Sequence, residues 1–143
     1  IGLPGDTVQF QNGNFILNNK VVPRTLVKKE YKIRCGSSLY SVNAYKEILP
    51  NGKHYIAAYK KKGTMLNTDI YKVPPNHFFF LGDNRDCSKD SRFLSSVGYV
   101  SSENLVGNAK IIFFSNNTIS GSVLKFWNWN RSLRIERFFK LLK

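Results

Sequence analysis

The chain has 143 residues, 42% hydrophobic and 14% aromatic, with 22 Lys and Arg against nine Asp and Glu for a formal charge of +13. That length suits one globular domain, which could bury roughly two thirds of its unfolded surface, and the apolar content excludes an intrinsically disordered chain. The longest apolar runs, such as Phe78 to Leu81 and Ile111 to Phe114, fall far short of the roughly eighteen residues a membrane-spanning helix needs.

The aromatics are mostly Phe and Tyr set among Val, Ile and Thr, a composition that favours strands. In chain order, Thr7 to Gln11 alternates toward an Asn12-Gly13 turn, and Phe15 to Leu17 runs to a polar corner at Asn18-Asn19-Lys20, as a hairpin would. Tyr31 to Cys35 and Leu39 to Tyr45 read as strands around Gly36-Ser37-Ser38. Pro50-Asn51-Gly52 is a turn before a strand over His54 to Tyr59, and the polar stretch from Lys60 to Asp69 is an exposed loop. A short apolar strand follows at His77 to Leu81. After a Ser-rich loop, Val106 to Phe114 reads as a further buried strand, with Gly107 and Ala109 permitting close packing. The fold class is therefore mainly β, with antiparallel sheets. From Arg131 onward, Ile135, Phe138, Phe139 and Leu142 recur at spacings of three and four, which predicts a short C-terminal amphipathic helix.

Charge is concentrated in two places. Lys20 to Lys62 carries eleven Lys or Arg against Glu30 and Glu47, and Val123 to Lys143 carries six against Glu136. Both suit an anionic surface, and the second also carries Trp127, Trp129, Arg131 and Arg134, the pattern of a segment resting on acidic phospholipid. The alternatives are a solvated basic face for the first region and a helix packed on its own domain for the second.

Cys35 and Cys87 allow one disulfide and are too few for a four-ligand zinc site. His54 and His77 read as ordinary surface or strand residues, so neither metal nor cofactor is expected.

The run Gly82-Asp83-Asn84-Arg85-Asp86-Cys87-Ser88-Lys89-Asp90-Ser91-Arg92 is a neutral island in this basic chain. It holds Asp83, Asp86 and Asp90 matched by Arg85, Lys89 and Arg92, which predicts ion pairs holding an irregular loop in one shape. Exposed ion pairs contribute little singly, so this much charge points to a desolvated or functional loop, with Ser88 and Ser91 available between the charges.

Gly82 to Asp86, with Ser88, Asp90, Ser91 and Arg92 at fixed offsets, resembles the last signature of bacterial type I signal peptidases, and Ile1-Gly2-Leu3-Pro4-Gly5-Asp6 is similar to the tail of the preceding signature. Ile48 to Gly52 with Tyr55, Val73-Pro74-Pro75 before His77-Phe78, and Val106 to Ala109 also match stretches of that family in order, so the resemblance covers most of residues 1 to 114. It implies a partial catalytic domain over 1 to 122, with an inserted β-rich region at about 20 to 76 and the core strand, signature loop and following strand at 77 to 114. A basic tail over 123 to 143 completes this division.

The resemblance implies a serine endopeptidase that removes signal peptides from secreted preproteins after a small-x-small segment, at the outer face of a bacterial inner membrane. Its partners would be signal peptides and anionic phospholipid, with no nucleic acid expected. Chemistry in the family uses a Ser nucleophile and a Lys base, whose ammonium form must be disfavoured by burial and whose amine must be aimed. Ser88 matches the serine that orients that lysine; Asp90 and Arg92 match an ion pair supporting it; Gly82, Asp83 and Arg85 shape the loop. Ser91 reads either as loop packing or as part of the site, and Gly2, Pro4, Gly5 and Asp6 set the turn after the lysine. In the family the lysine lies three residues before the position of Ile1, with the nucleophile and membrane anchor further upstream. This chain, which opens on Ile1 rather than Met, is therefore expected to be catalytically incomplete. Cys87 replaces an Asn common in relatives, a loss of hydrogen-bonding capacity beside an intact Ser88. Two other readings are a non-enzymatic basic β-domain binding anionic membrane or nucleic acid, and a Ser/Lys self-cleaving domain of the repressor type.

Overall fold

The computed structural model describes residues 1–60, 63, 65–116 and 133–142, and divides into two compact units, Ile1–Leu105 and Val106–Lys143. Its regular elements are antiparallel strands apart from short 3-10 turns, confirming the mainly β class.

In the first unit, β1 (Thr7–Gln11) and β2 (Asn14–Leu17) form a tight hairpin in which Val8 faces Leu17 and Phe10 faces Phe15. The Asn12-Gly13 corner takes φ of 51° and 73°, the left-handed pair that lets a two-residue turn follow the twist of the strands. The same device recurs at Asn18 and Asn19, which turn the chain into β3 (Lys20–Val21). After the long excursion that follows, Tyr71–Lys72, numbered β7, returns to pair with the free side of β1, giving the order β3-β2-β1-β7. Alternation buries Val8, Phe10, Phe15 and Leu17 on one face. Val22, Tyr71, Val73 and Phe79 close over them to complete the core.

The excursion is a second sheet in the order β4-β5-β6: β4 (Arg24–Cys35), β5 (Ser38–Ile48) and β6 (His54–Lys60). β4 and β5 extend well beyond their sequence-predicted ends, and irregular register between Leu26 and Tyr31 bends β4. Only the half nearer β6 carries buried residues: Val42, Ala44, Glu47, Ala57 and Ala58. Two small strands, β8 (His77–Phe78) and β9 (Val100–Ser101), pair with each other. β8 stops earlier than the sequence suggests because Phe79 pairs instead with Gly2, in an antiparallel bridge with bonds of 2.7 and 2.9 Å in the two directions.

In the second unit, β10 (Ile111–Ile112) pairs with β11 (Lys140–Leu141), and Asn116 bridges Leu133. Two sequence expectations change here. Val106 to Phe114 is not a buried strand: pairing is confined to Ile111–Ile112, Val106 is fully exposed, and Gly107 and Ala109 supply almost no apolar surface to pack. Nor do the described residues 133–142 form an amphipathic helix. A single 3-10 turn at Ile135–Arg137 ends where Phe139 takes a left-handed φ of 56°, and the chain continues as β11. The aromatic rings meet across the hairpin, Phe113 with Phe139 at 6.1 Å and Phe114 with Phe138 at 5.5 Å, so cross-strand packing prevails over the helical period. Trp127, Trp129 and Arg131 lie outside the described residues; the backbone N–H of Arg134 bonds the Ser115 carbonyl at 3.0 Å. Among the described residues no helix is long and apolar enough to cross a membrane.

Candidate functional site

Strand β6 passes beside the loop over residues 82–92 and fixes its entry. Ala58 donates to the Asp83 carbonyl at 2.7 Å and Arg85 donates to the Ala58 carbonyl at 3.0 Å, a parallel bridge between β6 and Asn84. The Lys60 N–H adds a 2.8 Å bond to the Asp86 carboxylate. At the far end, Ser91 locks onto Phe80 in both directions: its N–H reaches the Phe80 carbonyl at 3.1 Å and its Oγ accepts the Phe80 N–H at 2.9 Å. Ser91 is wholly buried, and its hydroxyl is occupied by this anchoring.

Asp90 and Arg92 sit within this frame. The guanidinium Nε of Arg92 lies 2.8 Å from Asp90 Oδ1 and its NH2 lies 2.9 Å from Oδ2, a two-pronged pair with both residues buried. The same carboxylate accepts the Gly82 N–H at 2.9 Å, and Arg92 NH2 also donates to the Arg85 carbonyl. One carboxylate thus joins both ends of the loop. A charge-assisted network with its lone pairs satisfied resists distortion far better than isolated exposed pairs.

Arg85 takes a different partner from the one its neighbours suggest. Asp83 is exposed and accepts the N–H of Asn84, whereas Arg85 reaches Glu47 on β5 at 2.7 Å and Tyr55 Oη on β6 at 3.0 Å. Glu47 and Arg85 are 1% and 3% exposed, and Tyr59 donates its hydroxyl to the second Glu47 oxygen. The guanidinium carbon lies between 5.2 and 5.8 Å from the centroids of Phe10, Phe15, Tyr55 and Tyr59. Burial works against the charge on Arg85, yet the oxygens of Tyr59, Glu47 and Tyr55 outweigh it and hold its pKa above the ordinary arginine value. Burial pushes the Tyr55 phenol up to about 12 and Tyr59 higher still, with Arg85 opposing and Glu47 reinforcing the rise. The sequence reading counted Glu47 among the acids but did not single it out as the partner of Arg85. Its signal was there: it is one of only two acids between Lys20 and Lys62, and it lies within a strand.

Ser88 caps the turn with its N–H bonded to the Asn84 carbonyl at 2.9 Å, and its half-buried side chain lies directly over Gly82. A Cβ on residue 82 would overlap both Oγ and Cβ of Ser88, so glycine is required here for close approach rather than for backbone freedom. Among the described residues, the Ser88 hydroxyl makes no hydrogen bond.

Leu3 to Asp6 forms a tight turn that aims the N-terminal residues at this region. Asp6 N–H bonds the Leu3 carbonyl at 2.9 Å, Pro4 and Gly5 occupy the two central positions, and Gly5 takes φ 87°. The Asp6 carboxylate accepts the Leu3 N–H and the Asn18 side-chain amide, both at 2.8 Å. Gly2 is tightly enclosed, since a Cβ there would stand 3.0 Å from Val8 Cγ2 and 3.2 Å from Phe79 Cβ.

Cys87 is bonded to Cys35, whose Cα lies 5.7 Å away at the tip of the β4–β5 hairpin. The cross-link ties that tip to the residue beside Ser88. The covalent bond gives residue 87 a structural role that needs no hydrogen-bonding side chain. Among the described residues no three His, Cys, Asp or Glu side chains are grouped to hold a metal ion.

These features agree with the comparisons to known proteins. The model of the signal peptidase family, peptidase S26, matches residues 1–114. The signal peptidases I of Rickettsia typhi and Rickettsia prowazekii are each 36% identical to the chain over 158 aligned positions, covering 99% of this chain and 57% of theirs. That of Rickettsia bellii is also 36% identical, with 52% of its length covered. The chain thus spans little more than half the length of these relatives. With the matched region running through both the Gly2–Asp6 turn and the loop over residues 82–92, the chain belongs to the signal peptidase family, peptidase S26.

Proposed function

We propose that this chain forms the supporting part of a Ser/Lys active site in a membrane-associated endopeptidase that removes signal peptides from secreted preproteins after a small-x-small segment. In this reading Ser88 aims a general-base lysine that precedes Ile1 in the complete protein, and a serine further upstream attacks the scissile carbonyl. The peptidase domain would run to about residue 122, with the remainder a basic tail.

One observation carries the reading: the pairing of Gly2 with Phe79 directs any preceding segment toward Gly82 and Ser88. Continued antiparallel beyond this bridge, a preceding residue would lie opposite Leu81, and the position three before Ile1 would fall near Gly82, where the chain bends at Asp83 to meet β6. Side chains four apart on a strand share a face, so that residue would project on the side on which Gly2 meets Val8 and Phe79. An apolar surface there favours the neutral amine that a lysine base requires. The Ser88 hydroxyl, with no partner among the described residues, is available to hold it.

The lysine would take the proton of the attacking hydroxyl, pass it to the departing amine, and then activate the water that releases the acyl-enzyme. Asp90, Arg92 and Arg85 act through the loop, holding Ser88 in place without touching substrate. Trp127, Trp129, Arg131 and Arg134 would set the domain on anionic lipid, keeping the site near emerging signal peptides.

The full-length protein in detergent should cleave a preprotein with Ala at both small positions and should not cleave one with Phe immediately before the scissile bond. Failure of the folded full-length protein to cleave either would overturn the reading. Liposome co-sedimentation should show preference for anionic over neutral vesicles; equal partitioning would remove the lipid role of the tail.

A further inference from the structure

Ser88 sits in a turn whose Cys87 and Ser88 N–H groups both bond the Asn84 carbonyl, at 3.2 and 2.9 Å, and whose covalent hold is the bond from Cys87 to Cys35. Cys35 lies at the tip of a ribbon over residues 32–41, where β4 and β5 run on past β6: the β5–β6 pairing ends at Val42, opposite Lys60. No residue of the ribbon is buried, and Leu39 is 60% exposed. Two strands with neither face covered are marginal in water. At the base of the ribbon the β4–β5 register breaks between Lys28 and Tyr31, and Glu30 takes a left-handed φ of 49°, which bends the strand there. The other contacts that the described residues offer the ribbon are weak. The Lys60 ammonium lies 3.5 Å from the ring centroid of the exposed Tyr40. A groove of about 220 Å³ lined by Tyr31, Ile33, Ile56, Ala58, Asp83 and Asn84 leaves ribbon and loop incompletely packed.

We propose that Cys35 and Cys87 are redox-sensitive positioning residues for Ser88: their bond clamps ribbon and turn together, and its reduction lets both move while the core stays folded. Both cysteines are half-buried, so a small dithiol can reach the sulfurs. One thiolate of the dithiol attacks a cystine sulfur, the S–S bond breaks, and the departing Cys thiolate takes up a proton. The second thiol then closes the dithiol to a cyclic disulfide and frees the other Cys as a thiol, so the cystine is reduced and the dithiol oxidised. The change is local. The buried residues of this sheet, Val42, Ala44, Glu47, Ala57 and Ala58, lie beyond the base of the ribbon, and Asp90 with Arg92 holds the other end of the loop. The consequence for cleavage rests on the peptidase reading: a hydroxyl that drifts no longer aims the lysine, so cleavage is fast only where oxidising conditions keep the bond closed.

The test uses full-length protein in detergent, either oxidised, reduced with dithiothreitol, or carrying Cys35→Ser with Cys87→Ser. Each form is assayed for preprotein cleavage and for backbone hydrogen exchange by mass spectrometry. Reduction should lower kcat about tenfold or more with KM within about twofold, should move the acidic limb of the kcat/KM profile to higher pH, and should be undone by reoxidation. The double-Ser protein should match the reduced one and ignore dithiothreitol. Exchange should quicken in residues 32–41 and 86–89 while the amides of β1, β2 and the β5–β6 pairing stay protected. Full kcat in the folded double-Ser protein would overturn the proposal, as would unchanged exchange in those two segments or a loss of protection throughout the core. If the oxidised protein cleaves nothing, the peptidase reading fails, and the exchange pattern alone decides whether the bond clamps the turn.

Discussion

Replacing Glu47 by Ala tests whether the loop over residues 82–92 is held from β5. The substitution removes the carboxylate bonded to Arg85, leaves that guanidinium 3% exposed, and takes the acceptor from the Tyr59 hydroxyl. Breaking a buried pair by deleting one partner costs about 3–5 kcal/mol, chiefly because the other charge remains buried. For a domain of this size, a urea m-value of about 2 kcal/mol/M turns that into a midpoint lowered by roughly 2 M. Equilibrium urea unfolding followed by tyrosine fluorescence and circular dichroism gives the number. Glu47→Gln keeps the shape and one acceptor oxygen, so it should fall between Glu47→Ala and the unmodified protein. A double change, Glu47→Leu with Arg85→Met, should recover much of the loss, since an apolar pair of similar volume is commonly as stable as the buried ions it replaces. A Glu47→Ala protein within about 1 kcal/mol of the parent would refute the assignment, because a loss that small is typical of an exposed pair.

Gly82→Ala should destabilise by about 1–3 kcal/mol through overlap with Ser88, and Gly82→Ala combined with Ser88→Gly should relieve most of that cost; an additive double variant would show the two side chains do not collide. Changing Cys35 and Cys87 together to Ser opens a cross-link spanning 52 residues and should lower stability by about 2–4 kcal/mol in thermal or urea unfolding, whereas an unchanged midpoint would mean the bond is not formed. Alkaline titration followed at 295 nm should show Tyr55, Tyr59 and Tyr71 ionising above the ordinary tyrosine range. Their folded pKa values lie above the unfolded 10, so the folded state retains protons there; this contribution to stability is complete below pH 10 and is lost as pH rises through about 12 for Tyr55. Seven tyrosines ionising together in the still-folded protein would contradict the burial around Glu47 and Arg85.

The sequence was most informative where structure is local. Asn12-Gly13 and Asn18-Asn19 announce turns because so few residues tolerate left-handed backbone, and β1 and β2 follow from alternation on either side. The family resemblance implied that Asp90 and Arg92 pair, and these two residues do bond to each other within the loop. Long-range partners were hidden. Arg85 has an acid two residues before it and another one residue after it, yet its counter-ion is Glu47, 38 positions earlier, and nothing local distinguishes these choices. The disulfide was permitted but undetermined for the same reason. Gly82 was read only as shaping the loop; the physical cause of the glycine, a side chain that arrives six residues later and occupies the place of its Cβ, has no local signal. At the C-terminus, spacings of three and four among Ile135, Phe138, Phe139 and Leu142 suggested a helix, but so short a repeat lacks the length to stabilise one, and ring contacts with Phe113 and Phe114 hold an extended hairpin instead.

The central claim is that this loop presents Ser88 to a lysine base in the complete enzyme. The most direct measurement is the pH dependence of preprotein cleavage by full-length protein carrying Ser88→Ala. Loss of a group that orients a base should lower kcat about a hundredfold and move the acidic limb of the kcat/KM profile to higher pH, with the urea midpoint nearly unchanged. Unaltered turnover and an unaltered profile in the folded variant would contradict the account.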